Sequence, residues 1–92
     1  MRKIEKEMLQ AVLTGSSWSK DNTSVSFSGN GNGLVSLHGN IIAYVDSQTN
    51  IEPDLITLKR YPTVTTKSRL RALGLNIETK KGVTYYNGMP IT

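Results

Sequence analysis

The side chains that most often do chemistry in enzymes are few and scattered in this sequence. The chain of 92 residues has one histidine, His38 in the segment LHGN, and no cysteine, so no thiolate can act as a nucleophile or a metal ligand. A histidine general base needs an orienting partner and a path for the proton, and no acid is spaced so that it must approach His38. The seven acidic residues form no paired-carboxylate pattern, and together with one histidine they make a poor metal-ligand set. We therefore predict no catalytic residues, no metal site and no cofactor, with His38 hydrogen-bonded locally in a turn.

The glycine-rich stretch GNGNG at 29–33 has the composition of a phosphate-binding loop but not its spacing. A phosphate loop requires GxxxxGK followed by Ser or Thr, and a dinucleotide-binding turn requires GxGxxG at the start of a helix. Here the glycines alternate with asparagine, and a strand pattern follows instead of a helix. We predict a loop that joins two strands of a hairpin.

Cationic side chains are concentrated in the second half of the chain. Residues 51–92 hold seven of the eleven Lys and Arg residues and three of the seven acids, so all of the net charge of +4 lies there. The segment TTKSRLRALG, residues 65–74, places Lys67, Arg69 and Arg71 within five positions, and no acid occurs from 55 to 77. Lys67 and Arg71 are one helical turn apart, where like charges destabilise an isolated helix slightly. A helix of this kind is expected to meet an anionic partner, and the alternative is a solvated basic surface.

Cations and tyrosines on either side extend this segment into a candidate binding surface. Tyrosine rings can stack on bases, and a short helix followed by a basic hairpin is a feature of some DNA readers, although a good second helix in front of it is missing. The predicted partner- or nucleic-acid-binding residues are Lys59, Arg60, Tyr61, Lys67, Arg69, Arg71, Lys80, Lys81 and Tyr85. Two partners remain open at this stage: an acidic surface on a host protein or protein–nucleic-acid complex, and DNA or RNA itself.

The elements that must position these residues follow from hydrophobic periodicity. Residues 2–14 predict a helix with Ile4, Met8, Ala11 and Val12 on one stripe, widened by Leu9 and Leu13, with acids and cations paired within the helix and Gly15 at its end. Strand patterns follow at 24–28, 34–38 and 41–45, and a fourth strand is predicted for LITL at 55–58, where a helical turn beginning at Pro53 and Asp54 is the alternative. A second helix of about nine residues, capped by Thr65 or Thr66, is expected to end at Gly74.

LNIET, GVTYY and MPIT predict three closing strands, with turns at 80–82 and at Asn87-Gly88 and with Pro90 on an edge strand. The predicted fold class is α+β: an antiparallel β-sheet meander with an N-terminal helix and a second short helix before a C-terminal hairpin, in the order α-β-β-β-(β)-α-β-β. We expect one domain over 1–92 with its helices on one face of the sheet. The sequence contains neither the apolar run of a signal peptide nor one of about 20 residues that could span a membrane, which predicts a cytoplasmic protein.

Three segments resemble a family of small accessory proteins encoded by short-tailed bacteriophages: KIEKEML, LHGNIIAYV and YPTVTTKSRLRALG. The resemblance covers most of the chain and carries no functional residues with it. It implies a gene product that acts in the cytoplasm of a bacterial host, as an anti-defence or host-takeover factor that binds and blocks a host component without chemistry. The alternatives are a nucleic-acid-binding protein that uses residues 59–81, and a structural or virion-associated protein.

Overall fold

In the computed structural model, which describes residues 1–91, the chain forms three helices and eight strands. These are α1 (Lys3–Thr14), β1 (Trp18–Lys20), β2 (Thr23–Phe27), β3 (Gly33–Leu37), β4 (Asn40–Val45), β5 (Ile51–Pro53), α2 (Leu55–Arg60), α3 (Val64–Ala72), β6 (Ile77–Lys80), β7 (Val83–Tyr86) and β8 (Met89–Pro90). The predicted α+β class is confirmed. Of the predicted MPIT strand, Thr92 lies outside the described residues.

The first five strands form one antiparallel meander, and β6, β7 and β8 form a second, smaller sheet. In the larger sheet Val25 pairs with Val35 and Val35 with Ala43, and all three side chains are buried. The neighbouring row of Ser26, Leu34 and Tyr44 points the other way and is exposed. This alternation places the helices on one face of the sheet, as predicted, and leaves the other face open to water.

A bulge in β4 allows two successive residues to enter the core. Val35 is paired with Ala43 and Ser36 with Ile41, which leaves Ile42 as the extra residue. Ile42 and Ala43 are 1% and 0% exposed, although successive side chains of a regular strand point to opposite faces. The bulged Ile42 carbonyl accepts a hydrogen bond from the Asp54 amide at 2.7 Å, so the bulge also fixes the start of α2.

The strand predicted over 55–58 is wrong, and the alternative of a helical turn is correct. Asp54 caps α2, because its carboxylate accepts from the Thr57 amide at 3.0 Å. Only Leu58 of this helix is fully buried. With one buried position, the short apolar run shows no helical stripe, and it was therefore predicted as a strand. The structure also contains β1 and β5, neither of which was predicted, and the cap of α3 is Thr63 instead of Thr65 or Thr66.

The first helix ends at Gly15, which adopts the left-handed conformation with φ of 69° as predicted. Two details of the prediction are wrong. Leu13 is 61% exposed and does not widen the buried stripe. The acids do not pair within the helix, because Glu5 pairs with Arg69 of α3 and Glu7 with Lys20 of β1.

The hydrophobic core lies between the helices and the inner face of the large sheet. Its most deeply buried side chains come from all of these elements and include Met8, Val35, Leu58 and Leu70, each 0% exposed. Phe27 lies across Gly33, its partner in the next strand, so closely that a Cβ at Gly33 would come within 2.7 Å of the ring. The glycine is thus required for packing, since an aromatic side chain covers the backbone there.

Proline lies on an outer edge of each sheet. The alternation of hydrogen bonds along β5 turns Glu52 toward β4 and Pro53 outward, and the bond from Ile91 to Thr84 likewise turns Pro90 away from β7. A proline in such a position offers no N–H to a further strand. The predicted edge position of Pro90 is confirmed.

Candidate functional site

The central cation of the predicted basic segment, Arg69, is buried inside the molecule. Its Nη1 lies 2.8 Å from Oε2 of Glu5, and its Nε donates to the Thr23 hydroxyl at 3.1 Å. The side chains of Arg69 and Glu5 are 5% and 4% exposed. The expectation that all three cations of 65–74 are unpaired is therefore wrong for Arg69, whose partner comes from α1 at the other end of the chain.

Burial by itself would raise the pKa of the Glu5 carboxyl. Hydrogen bonds from Ser68, Arg69 and the Arg2 amide, together with the Arg69 charge, outweigh burial and hold this pKa below its usual value. Ser68 and Arg69 donate to the same oxygen, Oε2, while the Arg2 amide donates to Oε1. The carboxylate is thus ionised and accepts from three donors, and it ties α3 to α1.

Lys67 and Arg71 are also used within the fold. Lys67 Nζ donates to the Thr79 hydroxyl at 2.6 Å, and Arg71 Nε donates to the Ile77 carbonyl at 2.7 Å. Both partners belong to β6, so the two cations spaced one turn apart hold the second sheet against α3. Lys67 is 9% exposed, whereas Arg71 remains exposed. The basic helix consequently connects α1 and the second sheet, and of its three cations only Arg71 is exposed.

The remaining predicted cations are exposed and lie in two parts of the fold. Lys59 and Arg60 end α2, while Lys80 and Lys81 lie at the turn between β6 and β7. This turn is at the opposite end of the β6–β7 ladder from Asn87, the residue that approaches α2. Because a strand rises about 3.3 Å per residue, the length of β7 separates the two pairs by more than ~10 Å. Lys80 is further occupied by Glu78 at 3.6 Å and by the Tyr85 ring, whose centroid lies 5.7 Å from Nζ.

The two predicted tyrosines lie apart. Tyr61 follows α2 and is 43% exposed beside a pocket of about 190 Å³ that it shares with Leu37 and Ile42. Tyr85 is half-buried on the small sheet.

An apolar groove between α2 and the C-terminal hairpin is the feature that the sequence analysis did not identify. It has a volume of about 500 Å³. The groove is lined by Leu55, Ile56 and Lys59 of α2 and by Tyr86, Asn87, Met89, Pro90 and Ile91 of the hairpin. Ile56 and Met89 are 76% and 68% exposed, and Leu55 is 39% exposed. Contiguous exposed apolar surface with a polar rim is characteristic of a binding site.

Lys59 gives this groove its charge. It is the one ionisable cation among the groove residues, and within 1–91 no acid lines the groove and no salt bridge engages Lys59. Asp54, which precedes α2, faces other partners: one oxygen accepts from the Thr57 amide, and the other accepts from the Tyr44 hydroxyl at 2.7 Å. The hydrogen bond from the Thr57 amide has the largest effect on the pKa of the Asp54 carboxyl, and together with the one from the Tyr44 hydroxyl it lowers that pKa. The groove is thus apolar with a positive rim.

Histidine and the acidic side chains are the remaining candidates for chemistry in this chain. His38 lies in a turn, as predicted, and has a φ of 53°. Its Nε2 lies 3.5 Å from Nδ2 of the Asn22 side chain. Within residues 1–91, no three acidic or histidine side chains are grouped as metal ligands. No helix in the same described part of the chain is both long and apolar enough to cross a membrane.

One protein-family model matches nearly the whole chain. The matched family is described as Kyanoviridae Gp96 protein, and the match runs over residues 1–91. No curated protein and no solved structure matches the chain. The resemblance to phage proteins is confirmed at the level of a phage family, while the narrower assignment to accessory proteins of short-tailed phages stays a prediction. The chain belongs to the Kyanoviridae Gp96 protein family.

Proposed function

We propose that this phage protein is a non-enzymatic binding protein that occludes a protein of the bacterial host, and that its contact surface is the apolar groove between α2 and the C-terminal hairpin. The observation that carries the proposal is the exposure of Ile56 and Met89, two large apolar side chains that share one concave surface. Exposing them to water is unfavourable by about 25 cal/mol per Å² of apolar surface, and a partner that covered them would recover this free energy.

The position of the cations supports the groove rather than the basic helix as the contact surface. Arg69 and Lys67 are buried in contacts within the fold and cannot reach a partner without breaking them. Lys59, by contrast, is exposed and lines the groove. The next residue, Arg60, is exposed at the end of α2. Rim cations of this kind speed the approach of an acidic partner and fix its orientation. Such a protein would act in the host cytoplasm as an anti-defence or host-takeover factor.

The experiment is affinity capture from nuclease-treated host lysate with a matched pair of variants. Ile56 and Val64 are both 76% exposed and both lie in the first turn of a helix, but only Ile56 lines the groove. We expect Ile56→Glu to lose a stoichiometric host protein that the native chain and Val64→Glu both retain. Equal capture by all three proteins would exclude the groove as the contact surface.

Nucleic-acid binding is a second candidate, favoured by the exposure of Lys59, Arg60, Lys80 and Lys81. It predicts that binding weakens with salt, with a log–log slope of roughly −0.7 to −0.9 per phosphate neutralised. A captured host component that disappears on nuclease treatment, together with such a slope, would favour this function over occlusion of a protein. Absence of binding at about 50 mM salt would reject it. A structural or virion-associated role stays a prediction that no particular feature of the fold favours.

A further inference from the structure

The chemistry of the groove narrows the kind of partner it fits. We infer that the groove binds a short amphipathic helix of the partner, with apolar side chains inserted between α2 and β8 and a carboxylate placed against Lys59. This inference rests on the proposed function, because it specifies the occupant of the same groove. Three separate features of the groove support it: its apolar floor, the nature of the β8 edge, and its charge.

The β8 edge disfavours recognition by an added strand. Strand addition takes its affinity from main-chain hydrogen bonds along an exposed edge. β8 has two residues, and Pro90, whose backbone faces outward, has no N–H to donate. Within β8 itself, a partner strand would therefore find one outward acceptor, the Pro90 carbonyl. Side chains must supply the affinity, which is how an amphipathic helix binds a groove.

The floor of the groove provides for such side chains. Ile56 lies on α2 and Met89 on the facing hairpin, so apolar contacts are available on both walls. Methionine is flexible and polarizable, and it adapts to apolar side chains of different shape. A helix presents apolar side chains at i, i+3, i+4 and i+7 along one stripe, and these can enter a groove between two walls.

The charge of the groove selects the polar part of the ligand. Lys59 is exposed at the rim, is engaged by no salt bridge within residues 1–91, and has no acid beside it in the groove lining. A carboxylate on the partner would pair with Lys59 without competition, whereas a lysine or arginine there would be repelled. Asn87 on the opposite side can donate to or accept from a polar side chain of the ligand.

The test uses a displayed library of peptides about 16 residues long, which is just above the length at which isolated helices are marginal. The peptides are rich in alanine, and their positions i, i+3, i+4 and i+7 are randomised. Each position that flanks these carries either an acid or a lysine. A second library is identical except for a central proline, which breaks the helix. Both are selected on the native protein and counter-selected on Ile56→Glu, and the binders are measured by fluorescence anisotropy.

We expect binders from the helical library that carry apolar anchors and an adjacent acid. Ile56→Glu should weaken them by roughly 10- to 100-fold, as expected for losing one buried apolar side chain. Lys59→Glu should weaken them by about three- to tenfold, and changing the peptide acid to lysine should restore binding to that variant. Val64→Glu is the control and should leave binding unchanged. Circular dichroism checks that each variant is folded, since all three positions are exposed.

Different outcomes separate this inference from the proposed function. Binders that depend on Ile56 could come only from the proline library, or their affinity could be unaffected by Lys59→Glu. Either result would refute an amphipathic helix with a carboxylate as the ligand, and it would leave the groove as a contact surface. A failure of both libraries to give any binder that depends on Ile56 would overturn the groove itself, and with it the proposed function.

Discussion

Replacing Arg69 with alanine should destabilise the protein more than the same replacement of Lys67 or Arg71, the other two cations of its basic helix. The guanidinium donates to Glu5 at 2.8 Å and to Thr23 at 3.1 Å, and the ion pair is about 95% buried. Without Arg69, Glu5 would keep hydrogen bonds from Ser68 and the Arg2 amide but would be a buried charge with no counter-charge. Breaking a buried ion pair by removing one partner typically costs about 3–5 kcal/mol.

This loss is a large part of the free energy of unfolding, which for a domain of this size is about 5–15 kcal/mol. With a urea m-value of about 1–2 kcal/mol/M, the midpoint of unfolding should fall by roughly 1.5–5 M. Urea titrations followed by circular dichroism would measure it. Arg60→Ala is the control, because Arg60 is exposed and its removal should change stability by less than about 0.5 kcal/mol.

The double variant Glu5→Leu with Arg69→Met tests the physical reason. It removes both charges and keeps similar volume, so it should be less destabilised than Arg69→Ala, since no buried charge is left unpaired. A loss below about 1 kcal/mol for Arg69→Ala, or a double variant as unstable as the sum of the two single variants, would refute the reasoning.

Four further predictions follow from the same structure. The pKa of Glu5 is lowered from its usual 4.5, so its contribution to stability should be complete above that pH and lost as pH falls through the lowered pKa; urea midpoints of native protein and Glu5→Gln between pH 2 and 7 should differ in slope in that range. Asp54→Ala should lower the free energy of unfolding by about 1 kcal/mol because it removes the cap of α2. Asp54→Asn should keep most of that stability because asparagine can also cap a helix, and thermal unfolding of both variants would show the difference. Gly33→Ala should cost about 1–3 kcal/mol because the added Cβ meets Phe27, and Gly33→Ala combined with Phe27→Leu should recover part of that loss. Pro53→Val with Pro90→Val should keep the fold and give concentration-dependent light scattering, and unchanged scattering would show that the two edges are protected by other means.

The sequence predicted most of the fold because the relevant signals are local. Alternation in 24–28, 34–38 and 41–45 and the Asn87-Gly88 turn act over a few residues, and the structure confirms the strands and the hairpin. The apolar run at 55–58 is too short to distinguish a strand from a helix by its pattern. Only the Asp54 cap indicates a helix there. The three residues of β1 are too few for their alternation to be recognised.

The candidate site was harder to predict because it depends on contacts between distant segments. Glu5 and Arg69 are 64 positions apart, so nothing near Arg69 in the sequence shows that it has a partner. The groove joins 55–59 with 86–91, and its sequence signal is limited to apolar residues at Leu55, Ile56 and Met89. The basic segment was correctly recognised as unusual, but its charges serve the packing of α3 against α1 and β6.

The edges of the two sheets have a consequence for how the protein behaves when it is made in quantity. β1 and β5 have three residues each, β8 has two, and the Ile77 carbonyl of β6 already accepts from Arg71. With Pro53 and Pro90 facing outward as well, each edge within residues 1–91 is short or carries a proline, so it gives a second chain few main-chain groups with which to continue the ladder. We therefore expect little edge-to-edge aggregation when the protein is concentrated.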